Sequence, residues 1–237
     1  LQMKIENKVA LITGAGRGMG RAIALGLGKK KVKIALTGRR QELLNKVTKE
    51  IKDFGGSSKT FLLDVTDNEQ AEAVSKKVFE EWGSIDILVN NAGVILYDTP
   101  VWETTLEDWN FIMDTNLKGT FLLCKAVLPY MMKGGEGYII NIGSSSGKEP
   151  DDEYGPYTAS KWGVVGYTAS LAKSLVGHGL IVNGINPTWV ATDMARNYIP
   201  EGDSEWVTPD EISDTDIYLL TVSYTHLRAH EKDADLV

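Results

Sequence analysis

Short apolar runs alternate with longer amphipathic stretches along most of the chain. The apolar runs that indicate strands are KVALIT, KIALT, TFLLD, IDILVN, YIINIG and IVNGIN. Between them apolar residues recur at helical spacing, over 18–29, 41–54, 68–82, 106–132 and 156–176, and again over 209–220. Strands that alternate with helices form right-handed βαβ units. The pattern therefore predicts a doubly wound α/β fold of three layers, in which helices cover both faces of a parallel sheet and ligands bind at the carboxyl ends of the strands.

Residues 1–220 contain no linker, internal repeat or low-complexity segment, so we expect them to form a single domain. Residues 221–237 differ, because the string TVSYTHLRAHE has no core-facing period and resembles translated sequencing-adapter DNA. We therefore expect a non-native tail there and exclude it from functional reasoning. The exclusion removes His226 and His230, whose spacing could otherwise indicate a pair of metal ligands, and no metal site is expected.

The composition excludes several classes of partner. With 237 residues and 43% hydrophobic composition, the chain can bury a full core. A net charge of -7 without a lysine–arginine patch argues against nucleic acid as a partner. No apolar stretch reaches the roughly 20 residues that a membrane span needs. Cys124 is the only cysteine, which excludes an internal disulfide, so we expect a cytoplasmic protein with a small-molecule substrate.

A glycine-rich turn, TGAGRGMG, directly follows the first predicted strand. Gly14, Gly18 and Gly20 give the spacing G-x-x-x-G-x-G, which departs from G-x-G-x-x-G because Met19 stands three residues after Gly16. Glycine permits a tight turn, and the N-terminus of the helix that follows attracts a pyrophosphate. Between a first strand and a first helix, such a turn predicts a dinucleotide-binding site.

The second predicted strand ends in IALTGRR, where a chain that binds the ribose 2′-hydroxyl of NAD often presents an acid. Here no acid is present. Arg39 and Arg40 supply guanidinium groups suited to a 2′-phosphate, and Arg17 of the glycine turn lies on the same side. This favours NADP as the cofactor. NAD is left open, because these arginines could simply be solvated at the start of a helix.

The motifs TGAGRGMG, LLDVTD, NNAG, NLKGTF, NIGSSSG, YTASK and INPTWVAT, in that order, resemble those of the short-chain dehydrogenase/reductase family over roughly residues 5–220. The resemblance implies a Rossmann fold and an NAD(P)-dependent oxidoreductase that interconverts an alcohol and a carbonyl. It also implies one more strand after residue 220, where the adapter-like sequence stands instead. By position, it implies catalytic roles for Asn116, Ser144, Tyr157 and Lys161.

Together with the glycine turn and the arginines, the resemblance predicts the cofactor-binding residues. They are Gly14, Arg17, Gly18, Met19, Gly20, Arg39, Asp64, Val65, Asn91, Ala92, Gly93, Tyr157, Lys161, Pro187, Val190 and Thr192. One departure concerns Thr188, which stands where the family usually has glycine after Pro187 and puts a side chain near the nicotinamide pocket.

Tyr157 and Lys161 form a plausible acid/base pair on physical grounds. Pro156 suits the first position of a helix, which puts the tyrosine in the first turn and the lysine one turn later on the same face. An ammonium roughly 4 Å away, at an effective dielectric near 20, favours the phenolate by about 4 kcal/mol, or around three pK units. We therefore expect a lowered pKa for Tyr157, suited to general acid/base catalysis.

Alternatives to these assignments come from neighbouring residues. Ser145 and Ser146 compete with Ser144 for the hydrogen bond to the substrate oxygen, although the spacing favours Ser144. Tyr154 is a rival base that has no amine one turn on. By the family pattern Asn116 holds a water that relays protons, whereas it could merely bond a helix backbone. A non-catalytic nucleotide-binding sensor or scaffold on the same fold is the alternative function.

The substrate is the least determined feature. Aromatic and apolar candidates for the pocket are Val94 to Tyr97, Trp102, Tyr154, Trp189, Met194 and Tyr198. The acidic run KEPDDEYG, residues 148–155, repels an acidic carrier protein, so sugars or polyols fit better than carrier-bound 3-oxoacyl chains. The apolar faces of 106–132 and 156–176 predict a homo-oligomer, a dimer or a tetramer.

Overall fold

A computed structural model of the chain describes residues 4–96, 99–150, 155–196 and 206–221. Its strands are β1 (Val9–Ile12), β2 (Lys33–Gly38), β3 (Ser57–Leu62), β4 (Ile87–Asn90), β5 (Gly137–Ile142) and β6 (Leu180–Ile185). They form one sheet in the order β3-β2-β1-β4-β5-β6, and every neighbouring pair is parallel. The predicted doubly wound Rossmann fold is confirmed. The predicted tail lies, from residue 222 onward, outside the described residues.

The helices are α1 (Gly18–Lys29), α2 (Gln41–Asp53), α3 (Asn68–Trp82), α4 (Leu106–Met113), α5 (Gly119–Gly134), α6 (Gly155–Ser174), α7 (Asp193–Arg196) and α8 (Pro209–Thr221). Local signals set several of their ends. The carboxylate of Asp67 accepts a hydrogen bond from the Gln70 amide at the start of α3, and Gly83 ends that helix in the left-handed conformation. Thr105 caps α4 through the amide of Asp108.

Two apolar cores form on opposite faces of the sheet. Successive side chains of a strand point to opposite faces, so Leu11 enters one core and Ile12 the other. The core around Ile12 is closed by α1, α2 and α8, and the core around Leu11 by α3, α5 and α6. Since both faces are covered, strands β1 and β4 are buried at every position, which explains their continuous apolar sequences.

The order of the strands determines where a ligand can bind. The chain runs outward from β1 through β2 to β3, and then returns to β4 on the other side of β1. The two connections leave the sheet in opposite directions, which opens a crevice at the carboxyl ends of β1 and β4. The glycine turn follows β1, and NNAG begins in the last residue of β4.

Two predicted elements differ from the structure. The stretch 106–132 is not one helix, because a π-helical turn, Asp114–Lys118, separates α4 from α5. The third strand was predicted as TFLLD, residues 60–64, but in the structure it begins at Ser57 and ends at Leu62. It is an edge strand in the described part of the sheet and therefore alternates exposed and partly buried residues, which an apolar run does not reveal.

Candidate active site

The glycine turn after β1 lies at the bottom of the crevice. Gly14 and Gly18 have φ values of +63° and +53°, in the left-handed region that glycine adopts without strain. A Cβ on Gly20 would lie 2.5 Å from both Asn91 Nδ2 and the Gly14 oxygen, so no side chain fits there. The turn is thus held tightly against the strand ends, and α1 begins at Gly18 with its N-terminus directed to the crevice.

Thr13 and Asn91 join the glycine turn to the segment that follows β4. The buried Thr13 hydroxyl accepts hydrogen bonds from the amides of Asn91, at 3.0 Å, and Ala92, at 2.9 Å. The Asn91 side chain donates to the Thr13 oxygen at 2.9 Å and to the Gly14 oxygen at 3.3 Å. Sequence reasoning did not assign Thr13, although its place between a buried strand and a glycine turn was a signal for it.

Most of the predicted cofactor residues line one cleft above the carboxyl ends of the strands. They are Gly14, Arg17, Gly18, Met19, Arg39, Asp64, Val65, Asn91, Ala92, Gly93 and Thr192. Of the other lining residues, Arg40 was expected beside a 2′-phosphate, and Val94 and Met194 were expected in the substrate pocket. The remaining ones are Gly16, Gly38, Leu43, Leu44, Leu63, Thr115 and Asp193. Gly20 is buried beneath the turn rather than exposed in the cleft.

Three arginines stand around one end of this cleft. Arg17, Arg39 and Arg40 all line it, and their side chains are exposed. Arg39 Nη1 lies 3.9 Å from a carboxylate oxygen of Asp64, a long and largely exposed ion pair. The other oxygen of that carboxylate accepts hydrogen bonds from the amide and hydroxyl of Thr66. The local charge is therefore positive, with one acid held by its own turn.

A second pocket adjoins the cleft. Its lining consists of Met19, Ile95, Gly143, Ser144, Ser145, Ser146, Tyr157, Pro187, Thr188, Trp189, Val190, Thr192, Met194 and Ala195. Met19 and Thr192 line both spaces. Among the predicted substrate-contacting residues, Trp102 is 82% exposed and is absent from this lining, whereas Tyr97, Tyr154 and Tyr198 lie outside the described residues.

Ser144 and Tyr157 come from different elements. Ser144 follows β5 and precedes a short 3₁₀ turn, and its hydroxyl accepts a hydrogen bond from the Ser146 amide at 3.2 Å. Tyr157 lies in the first turn of α6, as the position of Pro156 predicts. The two hydroxyl groups interact, and this interaction favours the ionised form of the tyrosine.

Lys161 lies one turn beyond Tyr157, buried beneath the pocket. Its ammonium nitrogen donates a hydrogen bond to the carbonyl oxygen of Ile142 at 2.9 Å and lies 5.5 Å from the centre of the Tyr157 ring. Burial lowers the pKa of Lys161 to about 8. At neutral pH about a tenth of this amine is therefore uncharged, and the rest keeps its proton.

The expected lowering of the Tyr157 pKa is wrong for this structure. Burial raises the pKa of the phenol, and the hydrogen bond from Ser144 only partly opposes that effect. Because the amine faces the ring and is bound to the Ile142 carbonyl, it does not supply the direct ion pair that the spacing suggested. The phenol is thus an acid that is protonated at neutral pH.

The side chain of Asn116 is fully used in internal hydrogen bonds. Its oxygen accepts from the Val94 amide at 2.8 Å, and its nitrogen donates to the Val94 oxygen at 2.9 Å and to the Ser160 hydroxyl at 3.0 Å. The residue lies in the π-helical turn and is 1% exposed. Its side chain therefore braces the loop after β4 against α6.

Two features are absent from the residues that the structure describes. No three of their His, Cys, Asp or Glu side chains are grouped so that they could hold a metal ion. None of their helices combines the length and the apolar character that crossing a membrane requires.

Comparison with known proteins gives consistent matches. The family model described as short chain dehydrogenase matches residues 8–202. The 3-oxoacyl-[acyl-carrier-protein] reductase of Vibrio cholerae is 41% identical over 194 residues, which cover 82% of this chain and 78% of the relative. D-threitol dehydrogenase of Mycolicibacterium smegmatis is 36% identical over 226 residues, covering 91% of this chain and 86% of the relative. A solved metagenomic short-chain oxidoreductase in complex with NADP is 34% identical, with a TM-score of 0.83 and 93% of each chain covered.

Proposed function

The chain belongs to the short-chain dehydrogenase family, and on that premise we propose that Ser144, Tyr157 and Lys161 carry its reaction. It is an NAD(P)-dependent oxidoreductase that interconverts an alcohol and a carbonyl in hydroxy or keto compounds. The alternative of a non-catalytic sensor is not favoured, because the matched relatives are oxidoreductases. The observation that carries the proposal is that Ser144 and Tyr157 line one pocket adjoining the predicted cofactor cleft.

In the direction of reduction, Ser144 donates a hydrogen bond to the substrate carbonyl oxygen and polarises it. Tyr157 then gives its phenolic proton to that oxygen, and the protonated phenol of this site suits that step. A nicotinamide cofactor held in the adjoining cleft would supply the hydride for the carbonyl carbon. Lys161, held by the Ile142 carbonyl next to the ring, stabilises the phenolate that remains until solvent returns the proton. Oxidation runs through the same groups in reverse.

The substitution Tyr157→Phe tests this proposal. Removing the acid should reduce carbonyl-dependent oxidation of the reduced nucleotide by at least about 100-fold, because a positioned acid contributes about 10² to 10⁴ in rate. Nucleotide binding, followed by the fluorescence of the reduced nicotinamide, should change little. Tyr218→Phe, on an exposed tyrosine of α8, is the matched control. Turnover retained in Tyr157→Phe would contradict the assignment.

NADP is the proposed physiological nucleotide. Arg17, Arg39 and Arg40 line the cleft, and their guanidinium groups are suited to a 2′-phosphate. The matched metagenomic oxidoreductase, whose solved structure contains NADP, supports the same choice.

The proposed substrate is a small neutral polyhydroxy or hydroxyketo compound. The described residues that line the second pocket include no charged side chain but several hydroxyl groups, among them Ser145, Ser146 and Thr188, together with the ring of Trp189. Such groups can both donate and accept hydrogen bonds, as a polyol requires. The relatives include both a D-threitol dehydrogenase and a carrier-protein reductase. A panel of polyols, ketoses and 3-oxoacyl thioesters distinguishes these classes, and a preference for the thioesters would overturn this choice.

A homo-oligomer is also proposed. Exposed aromatic side chains stand on three neighbouring helices, Trp109 and Phe111 on α4, Phe121 on α5 and Trp162 on α6, each at least 40% exposed. Water contact with so much apolar surface is costly, so a second copy is the expected cover. Light scattering on the purified chain tests it, and a monomer at micromolar concentration would overturn it.

A further inference from the structure

The hydroxyl of Ser160 lies between two groups of the site. Ser160 is fully buried on α6, one residue before Lys161. Its oxygen accepts a hydrogen bond from Asn116 Nδ2 at 3.0 Å, and its proton is donated to the carbonyl oxygen of Tyr157 at 2.7 Å. The second of these bonds is a common helix feature, but the first crosses from α6 to the π-helical turn.

Ser160 completes the hydrogen bonding of the Asn116 amide. The Val94 amide needs an acceptor and the Val94 carbonyl a donor, which fixes the orientation of the Asn116 side chain. The remaining N–H of Asn116 then points to Ser160, whose own proton is committed to Tyr157. Val94, Asn116, Ser160 and Tyr157 thus form a continuous series of hydrogen bonds from the loop after β4 to the first turn of α6.

The packing brings α6 close to the π-helical turn at this point. Gly163, one turn after Ser160 on the same face, has no room for a side chain, because a Cβ there would lie 2.6 Å from Leu117 Cδ2. On the cleft side, a Cβ on Gly93 would lie 3.5 Å from Asn116 Oδ1 and 3.8 Å from Lys161 Nζ. The series of hydrogen bonds therefore passes directly beside the amine and beside a residue that lines the cleft.

We propose that Ser160 is a positioning residue for the reaction, which couples the cofactor-side loop to the helix that carries Tyr157 and Lys161. Its hydroxyl holds the Asn116 amide against Val94 and, at the same time, holds the first turn of α6. This hydroxyl group therefore helps to set the position of the loop after β4 relative to the phenol. This inference rests on the proposed function.

The substitutions Ser160→Ala and Ser160→Thr test the proposal in steady-state kinetics. In Ser160→Ala we expect kcat to fall by about 10- to 100-fold, because small misplacements of reacting groups cost rates of that order. The KM for the nucleotide should change less than about threefold, since the phosphate and ribose contacts lie elsewhere. The midpoint of the pH profile of kcat should also move, because the phenol and the amine change their separation. Ser160→Thr keeps the hydroxyl and should restore kcat and the pH midpoint.

Ser174→Ala is the matched control. Ser174 lies on the same helix and donates the same kind of backbone hydrogen bond, to the Ser170 oxygen at 3.0 Å, but it is exposed and far along the chain from the site. Its removal should leave kcat and the pH profile unchanged. If Ser160→Ala retains the kcat and the pH midpoint of the unmodified chain, the proposal is wrong.

Amide hydrogen exchange separates this proposal from the oxidoreductase function. Without any substrate, Ser160→Ala should speed exchange at the Val94 amide, because its acceptor, Asn116 Oδ1, is no longer held by Ser160, while Ser174→Ala should not. Unchanged protection of Val94 would overturn the coupling even in an active enzyme. Faster exchange at Val94 in a chain without turnover on any carbonyl would instead support the coupling and contradict the proposed function.

Discussion

Lys161 lies one helical turn beyond Tyr157, as the spacing of the sequence predicts, but its amine is bound to the Ile142 carbonyl. The pKa of the phenol is then set mainly by its burial and is raised. Spacing along a helix defines which face two residues share. It does not reveal a third group, here the Ile142 carbonyl of a neighbouring strand, that binds the amine of Lys161.

The pH dependence of the two reaction directions follows from this raised pKa. Reduction needs the protonated phenol, whereas oxidation needs the phenolate, whose fraction falls as the pKa rises. We expect kcat/KM for alcohol oxidation to rise about tenfold per unit from about pH 6 until the phenol is ionised. Reduction should be level over the same range and fall only at more alkaline pH. Initial rates in both directions check this, and a level oxidation profile up to about pH 9 would count against Tyr157 as the base.

Arg39 and Arg40 supply a prediction about nucleotide choice. Replacing both by alanine should weaken NADPH binding by at least about tenfold, because each charged hydrogen bond to a phosphate contributes about 1.5–3 kcal/mol. NADH, which lacks the 2′-phosphate, should be affected less than about threefold by the same reasoning. Lys46→Ala, on the exposed face of α2, is the control cation. Equal losses for both nucleotides in a titration would show that these arginines do not read the phosphate.

At the scale of single residues, the sequence predicted which residues line the cleft. It did not predict the hydrogen bonds that their side chains make. Glycines and strand ends have characteristic positions, so Gly14, Asn91 and Thr192 could be placed from motifs alone. The hydrogen bonds of Asn116 could not, because they depend on Val94 and Ser160, which are distant in the chain.

Among the elements, the turn between β1 and α1 is tightly constrained. Gly20→Ala would place a methyl group 2.5 Å from Asn91 Nδ2 and from the Gly14 oxygen. We expect a loss of about 1–3 kcal/mol in the free energy of unfolding, typical of overpacking, and weaker nucleotide binding. Gly134→Ala, near the end of α5 where a Cβ meets nothing, should be neutral or slightly stabilising. Chemical denaturation and nucleotide titration check both variants, and equal behaviour would contradict the tight approach.

The π-helical turn between α4 and α5 is the element that the sequence did not predict. A single π-helical turn of five residues does not interrupt the apolar composition of 106–132, so the stretch indicated a single helix. The wider turn nevertheless sets the direction of Asn116 toward both Val94 and Ser160. Elements defined by burial alone, such as β1 and β4, were predicted closely.

At the scale of the whole molecule, a buried acid limits stability. Asp216 on α8 is fully buried, and neither of its carboxylate oxygens has a hydrogen-bond partner among the residues that the structure describes. Burial raises its pKa well above the usual value. A raised folded-state pKa means that stability is complete at acid pH. It is lost as the pH rises from the unfolded value, about 4, through the folded one.

Asp216→Asn should therefore raise the free energy of unfolding by at least about 1 kcal/mol at about pH 8 and change it little near about pH 4. Asp214→Asn, an exposed acid of the same helix, is the control and should have little effect at either pH. Thermal unfolding at both values measures the difference. A stabilisation that does not depend on pH would mean that packing, rather than charge, is responsible.

The overall architecture was predictable because alternating elements leave few topologies, and the sheet order agrees with the pattern of the chain. Asp216 shows what was not predictable at this scale. Its spacing of four residues from both Ile212 and Leu220 puts position 216 on the apolar face of PDEISDTDIYLL, but an acid carries no apolar signal. The burial of the carboxylate is therefore shown only by the packing of α8 on α1 and the sheet.

Met19 and Thr192 stand in the lining of both the cleft and the second pocket. A dinucleotide bound in the cleft would therefore form part of the lining of the second pocket, where the alcohol or ketone is expected to bind. From this shared lining we expect an ordered reaction, in which the coenzyme binds first and leaves last. Product-inhibition kinetics should accordingly show the oxidised and reduced coenzymes competing with each other, while the alcohol and the ketone do not compete with either.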